Sequence, residues 1–239
     1  MKEMIKEWKH IFKLDPDREL TDEALEAVCM SGSDAIMIGG SSGITYDNTV
    51  DLLSRVRRYE LPCVQEISDL EAVVPGFDLY MVPMVLNAQD TRWITGQHQA
   101  AIEQFGYMIP WELIVCEGYI VLNSDSTVAR LTSPNTALEA GGVAAYVQVA
   151  DRLMNLPVVY IEYSGTFGDM ETVEAARNAA HQSQLFYGGG IVNYETAAQA
   201  AKAAHTIIVG NAVYYDLPSA LATVQAVKPV ETKPTSNRG

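Results

Sequence analysis

Eight short apolar runs alternate with stretches of helical periodicity or turn-rich sequence along the 239-residue chain, and this alternation predicts a closed α/β barrel of the TIM (β/α)8 type. Two further observations agree. The length suits one such barrel, which takes roughly 250 residues. No GxGxxG follows the first strand, which weighs against an open doubly wound sheet, the competing architecture.

The first strand is read at 9–14 (KHIFKL), followed by a helix at 21–31 whose first turn holds Asp22 and Glu23, as the helix dipole prefers. A strand at 34–39 (DAIMIG) precedes a helix at 45–59, and a third strand lies at 62–66 (PCVQE). The third unit is short. Between Glu66 and Asp78 stands only ISDLEAVVPGF, closed by Pro75 and Gly76, so the third helix is expected to be reduced to a turn or loop. Strands at 78–83 (DLYMVP) and 116–122 (CEGYIVL) follow, with helices at 91–105 and 135–155. The strand at 157–162 (PVVYIE) leads to a helix at 169–182 opened by Asp169 and Glu171. Strands at 184–188 and 205–209, with helices at 193–204 and 216–226, complete eight units. Past Val227 the sequence KPVETKPTSNRG is polar and aperiodic, which gives a single domain over 1–227 and a flexible tail over 228–239.

Sixteen Lys and Arg stand against 30 Asp and Glu, a formal charge of −14. That balance argues against nucleic acid as a partner. It leaves small phosphorylated ligands open, because backbone N–H groups hold phosphate without net positive charge. Cys29, Cys63 and Cys116 are far apart inside apolar stretches, which reads as buried thiols in a reducing compartment rather than a disulfide framework or metal site. The N-terminal MKEMIKEWKHIFKLD has no apolar signal core, and nowhere do about 18 apolar residues run together. A cytoplasmic protein without a membrane span is expected.

In a barrel of this type the chemistry sits on the loops after the strands, with phosphate commonly held after strands seven and eight. Glycines stand at both places, Gly188-Gly189-Gly190 and Gly210-Asn211-Ala212, where the backbone can approach an anion closely. Tight strand-to-helix turns are the alternative use for them. Strand six ends in YIEYSGTFGD, with Val158, Tyr160 and Glu162 on one face and Val159, Ile161 and Tyr163 on the other. Glu162 is then a carboxylate at a strand top with no basic neighbour in sequence, suited to act as a general base or to orient a substrate hydroxyl. Capping loop N–H groups is its alternative role. Strand one ends in KLD, so Lys13 and Asp15 share the face of Ile11 and look toward the mouth. Together with the GGSSGIT loop at 39–45, Asp15 offers hard oxygen donors of the kind Mg²⁺ prefers when phosphates complete its shell. A Lys13–Asp15 ion pair is the alternative.

Absences narrow the chemistry. No lysine occurs between Lys13 and Lys202, which excludes a mid-barrel Schiff base. Neither GxxxxGK[ST] nor HExxH is present, and there is no aspartate-rich DDxxD run. His10, His98, His181 and His205 are scattered, His10 on the Phe12 side of its strand and His98 and His181 on helices.

EWKHIFKLDPD, GGSSGIT, VPGFDLY, EYSGTFGD, FYGGGI and VGNAVY occur in order from first strand to last. Over roughly residues 5–227 the chain closely resembles the bacterial heptaprenylglyceryl phosphate synthases, relatives of the archaeal geranylgeranylglyceryl phosphate synthases. The resemblance implies a TIM barrel with a modified third helix. It also implies Mg²⁺-dependent transfer of a polyprenyl group from its diphosphate to a hydroxyl of sn-glycerol 1-phosphate. By the same resemblance Asp15 and Ser41 look like magnesium ligands. Lys13, the run Tyr160, Ile161, Glu162, Tyr163, Ser164 and Gly165, then Gly190, Gly210 and Asn211, look like the glycerol phosphate site, with Glu162 the candidate base. Ser41 departs from a pattern in which threonine can stand there; either hydroxyl reaches a metal. Ala101, in ITGQHQAAIEQFG, falls at a position that limits chain length in the family, with ordinary helix packing as the alternative. The family is typically homodimeric, and its lipid donor points to transient membrane contact, although no basic amphipathic stretch advertises adhesion. Two other classes compete: another phosphate-handling barrel such as a sugar-phosphate isomerase or tryptophan-pathway enzyme, and a non-catalytic binding module.

Overall fold

The structure, a computed structural model, describes residues 2–228, so the tail read from 228 onward lies, past Lys228, outside the described residues. The eight strands are β1 (His10–Leu14), β2 (Ala35–Ile38), β3 (Cys63–Glu66), β4 (Leu79–Val85), β5 (Ile114–Val121), β6 (Val158–Glu162), β7 (Gln184–Gly188) and β8 (Thr206–Val209). Each pairs in parallel with the next, and β8 closes onto β1, so the sheet is the expected barrel.

Strand parity divides the core into two layers. Ile11, Met37, Val64, Met81, Tyr119, Tyr160, Phe186 and Ile208 fill the barrel, and Ile5 and Trp8 of the N-terminal 3₁₀ segment (Lys2–Glu7) join that cluster. Phe12, Leu14, Ile36, Ile38, Ile161, Leu185, Tyr187 and Val209 point outward beneath the helices. His10, on that outer face, sits between Ser33 Oγ (2.9 Å) and Thr223 Oγ1 (2.8 Å), and burial, aided by the charge of Lys228, pushes its pKa down to about 3.

The helices are α1 (Asp22–Cys29), α2 (Tyr46–Val56), α3 (Gly96–Phe105), α4 (Thr127–Thr132), α5 (Ala140–Gln148), α6 (Met170–Ala179), α7 (Tyr194–Ala203), α8 (Ala212–Tyr215) and α9 (Leu217–Val227). Side-chain caps fix many of their starts: Thr45 and Asn48 form a capping box on α2, Asn193 and Thr196 another on α7, and Asp169 accepts the N–H groups of Glu171 and Thr172. As expected, the third unit carries no full helix, only a 3₁₀ turn at Leu70–Ala72.

Several boundaries differ from the sequence reading. The segment 91–105 is broken: Thr91–Trp93 forms a 3₁₀ turn capped by Asp90, and α3 starts afresh at Gly96. The segment 135–155 is helical only from Ala140, and past Gln148 it widens into a π-helical stretch, Val149–Leu153. There Asp151 accepts the N–H groups of His181, Gln182 and Ser183 through Oδ1, which pins the turn into β7. His181 therefore lies past the end of α6 and not on a helix. Helix α4 has no counterpart in the sequence reading; six residues carry too little periodicity, and its signal is the Ser126 cap, whose Oγ accepts from Ala129 N–H at 3.1 Å.

Strand β4 runs on through Pro83, where the sequence reading stopped it. Its even residues donate toward β5, as Tyr80 and Leu86 do, so the N–H that Pro83 lacks would face β3. Since β3 has already ended opposite Met81, no ladder bond is lost there.

Candidate active site

The interior parity that packs Ile11, Val64, Val115, Tyr119, Val158 and Tyr160 also brings Lys13, Glu66, Glu117 and Glu162 into the barrel. Lys13 Nζ is ion-paired with Glu66 Oε2 and lies 5.8 Å from the centre of the Tyr160 ring. The alternative Lys13–Asp15 pair is therefore not what forms. Burial opposes the Lys13 charge, but Glu66, Glu162 and Glu117 outweigh it and hold the ammonium above its ordinary pKa.

Glu162 is 3% exposed and accepts three hydrogen bonds. Its Oε1 takes the backbone N–H and the hydroxyl of Ser164, and its Oε2 takes the Tyr119 hydroxyl at 2.6 Å. The Tyr160 phenol also lies within reach of it, so an incoming hydroxyl would meet a carboxylate already held by neutral donors. Burial, and after it the charge of Glu162, pushes the Tyr119 and Tyr160 phenols well above their ordinary range, so both stay neutral donors. Their rings stack 4.7 Å apart, which fixes the donor beneath the acid.

Tyr160 also explains Gly188. The Tyr160 hydroxyl occupies the place where a Gly188 side chain would begin, 2.1 Å from that position, so only glycine fits. At Gly190 the constraint is double: φ is +57°, and a Cβ would lie 2.2 Å from Phe167 N. The β7 loop is thus pressed against the loop after β6. Tyr187 ties the two together, its hydroxyl accepting from Gly168 N–H (2.8 Å) and donating to Gly189 O (2.9 Å). Asn123, past β5, adds a third loop by donating to Ser164 O at 2.6 Å.

On the other side of the mouth, Gly210 approaches Lys13 O within 3.5 Å of where its Cβ would stand. Asp15 N–H donates to the Tyr214 hydroxyl at 2.8 Å, joining the β1 loop to α8. Gly40 packs directly on the Asp15 carboxylate, where a Cβ would meet Oδ1 at 2.7 Å, which sets the loop bearing Ser41 against Asp15. Partial burial lifts the Asp15 carboxyl above its ordinary value, against the Asp17 N–H that bonds Oδ1 at 3.0 Å. Among the described residues no group of three His, Cys, Asp or Glu side chains is placed to hold a metal. What packs together here is one carboxylate, Asp15, and the loop that carries Ser41, a sparse set of hard oxygen donors of the kind magnesium takes when phosphate completes its shell.

Not every residue named from sequence turns its side chain to this space. Ile161 belongs to the outer layer and Tyr163 packs against it, because parity sends them away from Glu162; what they offer at the mouth is backbone, and Tyr163 N–H already donates to Gly188 O at 2.7 Å. Gly165, with φ of +84°, has open space around it at the loop. Ala101 lies on α3 and is half-buried.

Glu66 and Glu117 were missed. Glu117 is fully buried on β5 with no hydrogen-bond partner for either oxygen among the described residues, and burial, with Glu66 and Glu162 adding repulsion and Lys13 opposing, pushes its pKa well above 4.5. A carboxyl that keeps its proton only when folded makes the fold bind more protons than the unfolded chain, so stability falls as pH rises from 4.5 toward the raised value. Glu117→Gln removes that dependence. Its stability advantage over the parent is expected to grow by about 1.4 kcal/mol per pH unit across that window, then level off, in urea unfolding at pH 5 to 8. A gap that does not change with pH contradicts this reading of Glu117.

The chain is 54% identical over 221 residues to a heptaprenylglyceryl phosphate synthase of Brevibacillus brevis, covering 92% of this chain and 96% of the relative. It is 50% identical over 224 residues to one from Bacillus mycoides, covering 94% and 98%. Its fold matches a crystal structure of (S)-3-O-geranylgeranylglyceryl phosphate synthase from Thermoplasma acidophilum in complex with sn-glycerol-1-phosphate, with a TM-score of 0.84, 20% identity and 95% and 97% of the two chains covered. Residues 3–228 match the PcrB family, and with that span of agreement the chain belongs to the PcrB family.

Proposed function

We propose that this protein is a prenyltransferase that moves a long polyprenyl group, of heptaprenyl length, from its diphosphate to a hydroxyl of sn-glycerol 1-phosphate, forming an ether and releasing diphosphate. The observation that carries the reading is one shared mouth. Glu162 and Lys13 lie within electrostatic reach of each other, Lys13 backs Gly210, and the loop of Gly190 presses on the loop of Ser164. The relatives' names supply the substrate classes.

In this reading the backbone at Gly190, Gly210 and Asn211 holds the glycerol phosphate, with Lys13 as its cation. That anchorage places the hydroxyl at the Glu162 carboxylate and removes the entropic cost of meeting the donor. Asp15 and Ser41 would hold Mg²⁺ against the donor diphosphate, where the ion supplies charge neutralisation of the leaving group. As the glycerol oxygen bonds to the terminal prenyl carbon, the carbon–oxygen bond to diphosphate breaks with its electron pair leaving on diphosphate. Glu162 takes the hydroxyl proton, and Tyr119 and Ser164 hold its carboxylate in place.

Room for the prenyl chain is supported by α3. Among the described helices of eight residues or more, it alone buries none of its residues fully, and Ala100 and Ala101 keep its middle slim. The same reading takes the enzyme to be a cytoplasmic homodimer that meets its donor by transient membrane contact. Among the described residues no helix is long and apolar enough to cross a membrane.

Radiolabelled sn-glycerol 1-phosphate incubated with a ladder of prenyl diphosphates and Mg²⁺ tests the proposal. Label is expected in an ether product, best at heptaprenyl length, and a chelator abolishes it. In Ala101→Trp the heptaprenyl donor is expected to lose about tenfold or more in kcat/KM while shorter donors are spared, the scale of an overfilled apolar site. No label transfer from any donor overturns the function, and an unchanged ladder in Ala101→Trp removes the chain-length role.

A further inference from the structure

The anion count at the mouth leaves a deficit. The site as read brings together a phosphate monoester, a diphosphate and the carboxylates of Glu66, Glu162 and Asp15, against the ammonium of Lys13, which Glu66 already pairs, and the one Mg²⁺ that Asp15 and Ser41 would hold. Three arginines follow strand ends near this mouth, Arg18 on a loop, Arg92 in a 3₁₀ turn and Arg130 on α4. Arg92 is engaged by Asp90, and Arg130 donates to Asp125 O and Thr127 Oγ1 within its own turn. Arg18 is different.

Arg18 lies on the loop after β1, half-buried, and its guanidinium stacks 3.8 Å from the centre of the Tyr214 ring, with Tyr215 at 5.0 Å. Its Nη1 donates to Asn211 Oδ1 at 2.9 Å. Among the described residues no carboxylate comes within ion-pair distance of it, although the chain carries 30 acidic residues. The stacking holds the fork rigid, which a free surface arginine would not be. A guanidinium can only donate, so the Asn211 amide must present its oxygen to Arg18 and turn its NH₂ group away, free to donate elsewhere. The result is a set of pre-oriented donors on one side of Gly210, next to Asp15 and aligned for oxygen acceptors in a plane, the geometry that suits phosphate.

We propose that Arg18 is a phosphate-binding residue of this mouth, acting with the Asn211 side-chain amide on a phosphoryl group of one of the two substrates. The inference rests on the prenyl-transfer reading and deepens it. The guanidinium supplies the cation that Lys13, bound to Glu66, cannot supply alone, and it stands between the Asp15 side and the glycine cradle.

The test measures KM and kcat for sn-glycerol 1-phosphate and for heptaprenyl diphosphate in Arg18→Lys and Arg18→Gln, with calorimetric binding of sn-glycerol 1-phosphate alone as a second readout. Arg18→Gln is expected to raise KM for one substrate about ten- to fiftyfold, with kcat within about threefold and Tm within a few degrees; Arg18→Lys recovers part of the loss. A shift confined to glycerol phosphate, matched by weaker calorimetric binding, assigns the residue to the acceptor. A shift confined to the diphosphate, with calorimetric binding unchanged, assigns it to the donor. Either supports the proposal. Unchanged KM for both substrates, or a fall in Tm and kcat without any KM shift, overturns it and leaves Arg18 as a strut between the β1 loop and α8. A parent protein that turns over neither substrate fails the functional reading instead, so the two failures are distinguishable.

Discussion

Glu162→Gln is expected to cut turnover by about 10²- to 10⁴-fold, the usual yield of a positioned general base, while sn-glycerol 1-phosphate binds within about threefold of the parent affinity. The substitution keeps shape and removes the base. The backbone N–H of Ser164 cannot turn, so the glutamine oxygen must stay facing it and the NH₂ group must face Tyr119. Tyr119 can answer by rotating its hydroxyl to accept, so the fold survives at a cost of about one hydrogen bond. Steady-state kinetics paired with calorimetry separate the outcomes. Unimpaired turnover removes Glu162 as the base and returns it to the role of holding the Ser164 loop.

Gly190→Ala is expected to lose both activity and stability. An L side chain at a φ of +57° costs about 1–2 kcal/mol by itself. The larger effect is steric: the new Cβ would meet Phe167 N at 2.2 Å and Thr166 C at 2.5 Å, backbone atoms that cannot swing aside as a flexible side chain would. The loop after β6 must move, and it carries Ser164, which holds Glu162. KM for glycerol phosphate is expected to rise at least about tenfold and Tm to fall by several degrees, about 2–4 °C for each kcal/mol in a chain of this size. Where the variant does not fold, Gly141→Ala on α5 serves as the unstrained control, since its φ lies outside the left-handed region and a Cβ there meets nothing within 4 Å. A fully active, equally stable Gly190→Ala contradicts the packed two-loop cradle.

The barrel itself was legible because its signal is periodic and local. Each strand's parity and each helix's apolar stripe can be read in a window of a dozen residues, and the missing third helix showed as a missing length. Short or broken elements were not legible for the same reason: α4 and the restart at Gly96 carry too few residues to declare a period. Within the site, Glu162, Lys13 and Asp15 stood out because each interrupts an apolar run at a strand end. Glu117 had a comparable signal, an acid inside IVCEGYIV, but nothing in its own segment says that Lys13, 104 residues earlier, faces it. Glu66 likewise acquires its meaning from an ion pair across the barrel. Arg18 was hidden by company, sitting in DPDREL, where neighbouring acids suggest a satisfied surface charge. Only the fold shows that its partners are Asn211 and Tyr214, contributed by the far end of the chain.

Prenyl transfer at this mouth requires one convergence, the glycine cradle and the acid serving a single ligand. A crystal structure of the protein soaked with sn-glycerol 1-phosphate measures it directly. The phosphate is expected against the backbone of Gly190, Gly210 and Asn211, with a glycerol hydroxyl within hydrogen-bond distance of a Glu162 carboxylate oxygen. A phosphate bound elsewhere, or seated in the cradle with both hydroxyls turned away from Glu162, contradicts it.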